Sequence, residues 1–305
     1  MKWQGRERSS NIEDRRGTGG GLGGGFGRGG GGLNPFGRGG GIPIPTGRGG
    51  MGGLIVIVVI LGIIWFTTGQ NPIDMLNGGS SVAPSSSSQS RPLQPGDDPA
   101  NFVAVVTKET ENLWGQVFQQ NNRSYQPPRV VLFSRATESG CGVAQSASGP
   151  FYCPNDKKVY IDLSFYDQLR EQFGAPGDFA QAYVIAHEIG HAVQDQLGVL
   201  GEFNAQRSRM SETDANAYSV RVELQADCYA GVWANFAGHE NLLDTGDTQE
   251  AMNAAQQIGD DVLTRGQVSE RQFTHGTSQQ RQHWLKRGMD SGDVGQCDTF
   301  APGAV

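Results

Sequence analysis

The first long apolar block along the chain covers residues 54–66, inside eighteen uncharged residues from Met51 to Thr68. As a helix these eighteen extend roughly 27 Å, near the shortest length that spans a bilayer. A buried core helix is the other reading, but glycine before the block and a Ser/Pro-rich stretch after it leave nothing for it to pack against. Fifty residues precede it and no small-x-small site follows Phe66, so the pattern predicts an uncleaved anchor instead of a signal peptide. From Asn101 the pattern turns helical. Phe102, Val105, Val106, Leu113 and Trp114 recur near a 3.6 period and predict a helix to about Gln120. Residues 130–133 are apolar throughout and 158–163 alternate, which reads as a small antiparallel sheet over residues 129–164. Beyond Phe165 the pattern predicts helices near residues 179–197, 212–237, 248–262, 269–273 and 278–287. The predicted fold class is α+β, mostly helical, with a small antiparallel sheet.

Composition divides the chain. Gly, Ser and Pro crowd the first hundred residues and cannot supply a packed core. Residues 1–50 read as a disordered Gly/Arg-rich tail, 51–68 as a transmembrane anchor, 69–100 as a Ser/Pro-rich linker and 101–305 as one folded domain. The formal charge of −7 is unevenly spread. The first fifty residues hold eight Lys and Arg against three acids, leaving sixteen against twenty-eight beyond them. An acidic domain argues against nucleic acid as a partner. Arg15, Arg16, Arg28, Arg38 and Arg48 lie before the apolar block, which places the N-terminus in the cytoplasm and the domain in the periplasm or outside the cell. The tail is a solvated spacer or binds anionic lipid head groups through these arginines. Cys141, Cys153, Cys228 and Cys297 all fall on the outer side, and no CxxC spacing suggests zinc ligation. Of three pairings, Cys141–Cys153 with Cys228–Cys297 is favoured, because a short Gly/Ser-rich stretch between the first two closes as a hairpin.

One predicted helix carries chemistry. His187-Glu188-Ile189-Gly190-His191 is an HExxH motif: residues four apart share a helix face, so His187 and His191 offer two imidazoles to one zinc ion, Zn2+. Glu188, rotated by one residue, reaches a water at the metal without being a ligand. A catalytic zinc takes three protein ligands and keeps one place open. Gln194 and Leu197 stand where an extended metzincin motif has glycine and histidine, so the third ligand comes from another helix. Glu223 is the candidate, with Asp227 one turn later to hold a histidine N–H, the gluzincin arrangement. Val220, Val222, Leu224, Ala226, Tyr229 and Ala230 around them suggest a buried face rather than a solvated one.

With these residues the chain resembles the bacterial membrane-anchored neutral zinc metallopeptidase family. The likeness runs through Met1-Lys2-Trp3-Gln4-Gly5-Arg6, the HEIGH helix, the helix at residues 223–233, His275-Gly276-Thr277-Ser278 and Gln296-Cys297-Asp298-Thr299-Phe300. It implies a peptidase acting on peptides or proteins. Glu188 is then the expected general base and acid. His275, just before a Thr277-to-Gln280 capping box, is the candidate donor to the oxyanion; a structural histidine is its plain alternative. Two other functions compete: a zinc amidase acting on cell-wall peptides, and a membrane-tethered interaction protein without catalysis. The second has no use for Glu188.

Overall fold

The computed structural model describes residues 1–17 and 90–305. The predicted anchor at residues 51–68 therefore lies outside the described residues, as do most of the predicted tail and linker. Among the described residues no helix is long and apolar enough to cross a membrane.

The chain forms an α+β fold in which helices dominate. Strands β1 (Ile12–Asp14), β2 (Arg129–Phe133), β5 (Phe151–Cys153) and β6 (Lys158–Asp162) make one sheet in the order β1-β2-β6-β5. Strands β3 (Ala136–Ser139) and β4 (Gly142–Gln145) form a separate hairpin. The sheet is mixed, which corrects the antiparallel expectation: β1 with β2 and β2 with β6 run parallel, and only β5 opposes β6. The twenty-four residues between β2 and β6 are long enough to bring the chain back to the same end of the sheet. They carry the hairpin and β5 on the way. The unbroken apolar run of β2 also has its reason here. Val130 and Leu132 enter the main core, whereas Val131 and Phe133 enter a second, smaller core with Ala144, Cys153 and Tyr160.

Helix α1 (Asp98–Gln120) starts with Pro99 in its first turn, where a missing N–H costs nothing, and buries Phe102, Val106, Leu113 and Trp114. Two short helices escaped the sequence pattern: α2 (Ser164–Glu171) and α4 (Val199–Arg207). Between them α3 (Asp178–Leu197) is buried almost continuously from Phe179 to Gln194 and forms the centre of the molecule. It ends at Gly198, whose φ of 92° is open to glycine, and α4 starts from the same residue. Helix α5 (Glu212–His239) is capped by the Ser211 side chain accepting from Asp214 N–H. The predicted helix at 248–262 is two pieces, α6 (Asp247–Gln257) and α7 (Asp260–Leu263), broken at Gly259. The one predicted at 269–273 is a single 3-10 turn, Glu270–Gln272. Helix α8 (Ser278–Ser291) begins with the expected capping box, Thr277 and Gln280 exchanging side-chain and backbone bonds. Disulfides Cys141–Cys153 and Cys228–Cys297 are the favoured pairs.

Residues 1–17 depart from expectation. Predicted as the start of a disordered tail, they are folded onto the domain. Besides the β1 pairing, Trp3 meets Phe102 edge to face and Ser9 N–H donates to the carbonyl of Ala104. The Met1 amino group lies 2.9 Å from Asp178 at the start of α3. A binary pattern misses this segment because it is polar. Its buried charges are neutralised in place, Glu13 by Arg15 and Lys158, Asp14 by Arg16 and Arg91.

Helices α5 and α8 cross backbone to backbone at Gly231 and Gly288. A Cβ on Gly288 would run into the carbonyl oxygen of Cys228, and one on Gly231 into that of Leu285. Gly288→Ala should force the helices apart and lower stability by about 1–3 kcal/mol, the usual range for overpacking. Thermal unfolding of the variant beside the parent checks this; an unchanged midpoint would count against so close a crossing.

Candidate functional site

His187 and His191 lie one turn apart on the buried face of α3, and Glu223 faces them from α5. Gly190 lets the helices close up, since a Cβ there would stand 3.3 Å from the carbonyl oxygen of Ala226. The Glu223 carboxylate lies 3.2 Å from His187 Nε2 and 3.5 Å from His191 Nε2. Ligands about 2 Å from a tetrahedral zinc are about 3.4 Å from one another, so both separations suit the ion. One ligand atom from each of the three residues falls within 4.8 Å of the others. The opposite ring nitrogens are occupied. His187 Nδ1 is 2.8 Å from Asp227 and His191 Nδ1 is 2.8 Å from Gln194 Oε1. An N–H donated by each Nδ1 leaves both Nε2 lone pairs for a metal. The donor set fits Zn2+.

Asp227 anchors more than a histidine. One oxygen accepts from Tyr183 Oη at 2.6 Å, and the carboxylate takes two bonds from Arg281, each 2.9 Å. Burial works against its ionisation, but Arg281 and His187 hold its pKa down at about 2. For His187, burial opposes the charged form, yet Asp227 and Glu223 outweigh it and hold the ring up at about 10. Glu223 is pulled well below the carboxylate range by His191 and His187 despite its burial. Without metal, a proton on His187 together with the Arg281 charge therefore balances the two acids.

Gln194 does for His191 what Asp227 does for His187, without a charge. Its Nε2 donates to the Val222 carbonyl at 2.7 Å and to Gln225 Oε1 at 3.0 Å, so its oxygen must face the ring. Gln225 in turn donates to the carbonyl of Cys297 at 3.1 Å. The relay ends at the disulfide that ties Cys297 to Cys228, next to Asp227.

Glu188 opens onto a cavity of about 720 Å³ also bordered by His187, His191, Glu223 and His275. Burial, the largest influence, raises its pKa despite the neighbouring histidines and a bond from Tyr152 N–H on β5. His275 is held by Asp260, whose Oδ1 is 3.1 Å from Nδ1 and whose Oδ2 accepts the N–H groups of Thr274, His275 and Gly276. Burial, the largest single influence, pushes the ring down, but Asp260 together with Glu223 outweighs it for a net rise in pKa. The break at Gly259 thus sets Asp260 where it grips the loop carrying His275. Phe151, Phe165, Phe173, Leu200 and Phe203 make the apolar walls.

All six residues singled out in the sequence, His187, Glu188, His191, Glu223, Asp227 and His275, meet in this region. Sequence reasoning missed Gln194, Tyr183, Arg281 and Asp260. Gln194 had a signal, since it stands three residues after His191 on the same helix face. Tyr183 had a comparable one, four residues before His187. Arg281 and Asp260 had none, because their partners are fifty-four and fifteen residues away.

Two measurements probe the geometry. Gln194→Met keeps the bulk but not the acceptor for His191, so zinc affinity should fall about 10–100-fold with the fold retained. Chelator competition measures it, and unchanged affinity would remove Gln194 from the support of the site. Asp227→Asn is a poorer probe, because it also leaves Arg281 buried with its charge unpaired. Second, a ligand histidine must be neutral, so zinc uptake should expel the proton from His187. Affinity should weaken as pH falls, roughly tenfold per unit below about 10, and calorimetry in buffers of different ionisation heat should find close to one proton released. Uptake without proton release would contradict the protonated His187.

The family model described as "Putative neutral zinc metallopeptidase" matches residues 1–300. The uncharacterized protein YpfJ of Escherichia coli (strain K12) is 46% identical over 308 residues, covering 98% of this chain and 99% of that one. An uncharacterized protein of Mycobacterium tuberculosis is 42% identical over 220 residues, 68% of this chain and 73% of its own. No solved structure matches at a significant level. With the match running nearly end to end, the chain belongs to the putative neutral zinc metallopeptidase family.

Proposed function

We propose that the chain is a zinc-dependent peptidase that hydrolyses peptide bonds, with His187, His191 and Glu223 holding Zn2+, Glu188 as general base and His275 as an oxyanion donor. Glu188 carries the reading. It stands in the same cavity as the three ligands without belonging to the ligand set, a placement that a structural zinc site has no use for. A zinc ion held by His187, His191 and Glu223 would supply a Lewis acid able to acidify water and polarise a carbonyl. Glu188 takes the proton of the attacking water, and its raised pKa helps it keep that proton until the leaving amine accepts it. His275 turns Nδ1 to Asp260 and, in the protonated form that Asp260 favours, presents its Nε2–H to the oxygen on which negative charge develops.

A peptide substrate is favoured by β5. This strand is the sheet edge beside the cavity and offers backbone groups to an extended chain, while the apolar walls take side chains. We place the domain outside the cytoplasm, where its two disulfides persist, and attached to the membrane by the apolar segment at residues 51–68.

Glu188→Gln should keep zinc at parental level and lower turnover by about 10²–10⁴. The assay uses the full chain on a mixed peptide library that includes cell-wall stem peptides, with metal measured in each sample. A variant as active as its parent would sink the mechanism. Cleavage of the stem peptides alone would favour the amidase, and a zinc-loaded parent that cleaves nothing would favour the interaction protein.

A further inference from the structure

The two stretches of chain that border residues 18–89 meet at one point. Asp14 and Arg91 form an antiparallel bridge, with Arg91 N–H donating to the Asp14 carbonyl at 2.9 Å. Asp14 N–H donates to Ser90 Oγ at 3.1 Å. Their side chains lock the same place: Arg91 Nε is 2.6 Å from Asp14, and Arg16 joins Asp14 at 2.8 Å to Asp97 at 2.6 Å. Asp14 is only 1% exposed, so this is a built closure and not a chance surface contact. Seventy-two residues separate Gly17 from Ser90 across this closure. They include the apolar block at residues 54–66.

A chain that crosses a bilayer once comes out roughly 30 Å from where it went in, on the opposite face. Strand β1, the Asp14–Arg91 bridge and the Trp3–Phe102 contact could not then form within one chain. We propose that residues 1–17 and 90–305 lie on the same side of the membrane. This rests on the membrane attachment proposed above, and replaces the opposite-sides arrangement that the arginine bias predicts.

Single cysteines in the full-length protein in its native membrane test the arrangement, since the four native cysteines are paired. Glu7→Cys reports on the N-terminal segment and Glu171→Cys on the domain, at side chains 75% and 68% exposed. With a membrane-impermeant maleimide, both should react in intact cells, or both only after the membrane is opened. Reaction of one in intact cells and of the other only after lysis would overturn the proposal. Both reacting only after lysis would keep it and instead sink the placement of the domain outside the cytoplasm. Recovery of the intact chain in the soluble fraction would overturn the attachment and this arrangement together.

Discussion

Asp227 brings a negative charge to the centre of the molecule, and three helices are arranged to neutralise it. Tyr183 and His187 come from α3, Arg281 from α8, and the carboxylate itself from α5. A fully buried carboxylate that loses a partner is costly, so these helices hold one another in register through it. The crossing of α5 and α8 at Gly231 and Gly288 serves the same end, because only backbone contact brings Arg281 deep enough to share the charge. One ion pair thus links the fold to the ring orientation of a zinc-ligand candidate.

The chemistry of the site was more legible than its support. His187, Glu188 and His191 can be read because their spacing is set by the helix that carries them. Glu223 can be read because two acids amid apolar neighbours suggest a buried face. What holds them comes from far along the chain: Arg281 meets Asp227 across fifty-four residues, and no period encodes that. The fold shows the same division. Long helices with clear periodicity appear where expected, whereas α2 and α4, of eight and nine residues, are too short for a pattern to emerge. The direction of β6 relative to β2 depends on the route between them, which alternation along either strand does not record. Residues 1–17 were missed because buried ion pairs look like a solvated segment in sequence.

The two histidines are oriented by different means. His187 leans on a charged network of Asp227, Arg281 and Tyr183, His191 on a neutral chain of amides running to the Cys228–Cys297 disulfide. That disulfide closes a loop of sixty-nine residues, a constraint on the unfolded chain worth on the order of 4 kcal/mol in the chain-entropy model. It contains α6, α7 and the loop of His275, so oxidation of one pair secures both the amide chain and the segment facing the ligands.

Strand β1 has a practical consequence for any fragment of this protein. A piece beginning after residue 90 would keep every candidate site residue and still lose the strand that covers β2. The uncovered edge of Arg129–Phe133 presents unpaired amides and carbonyls along four buried apolar side chains, a template onto which another such chain can add. Such fragments should self-associate through their sheets, and their poor solubility would reflect three missing residues instead of a defect in the metal centre.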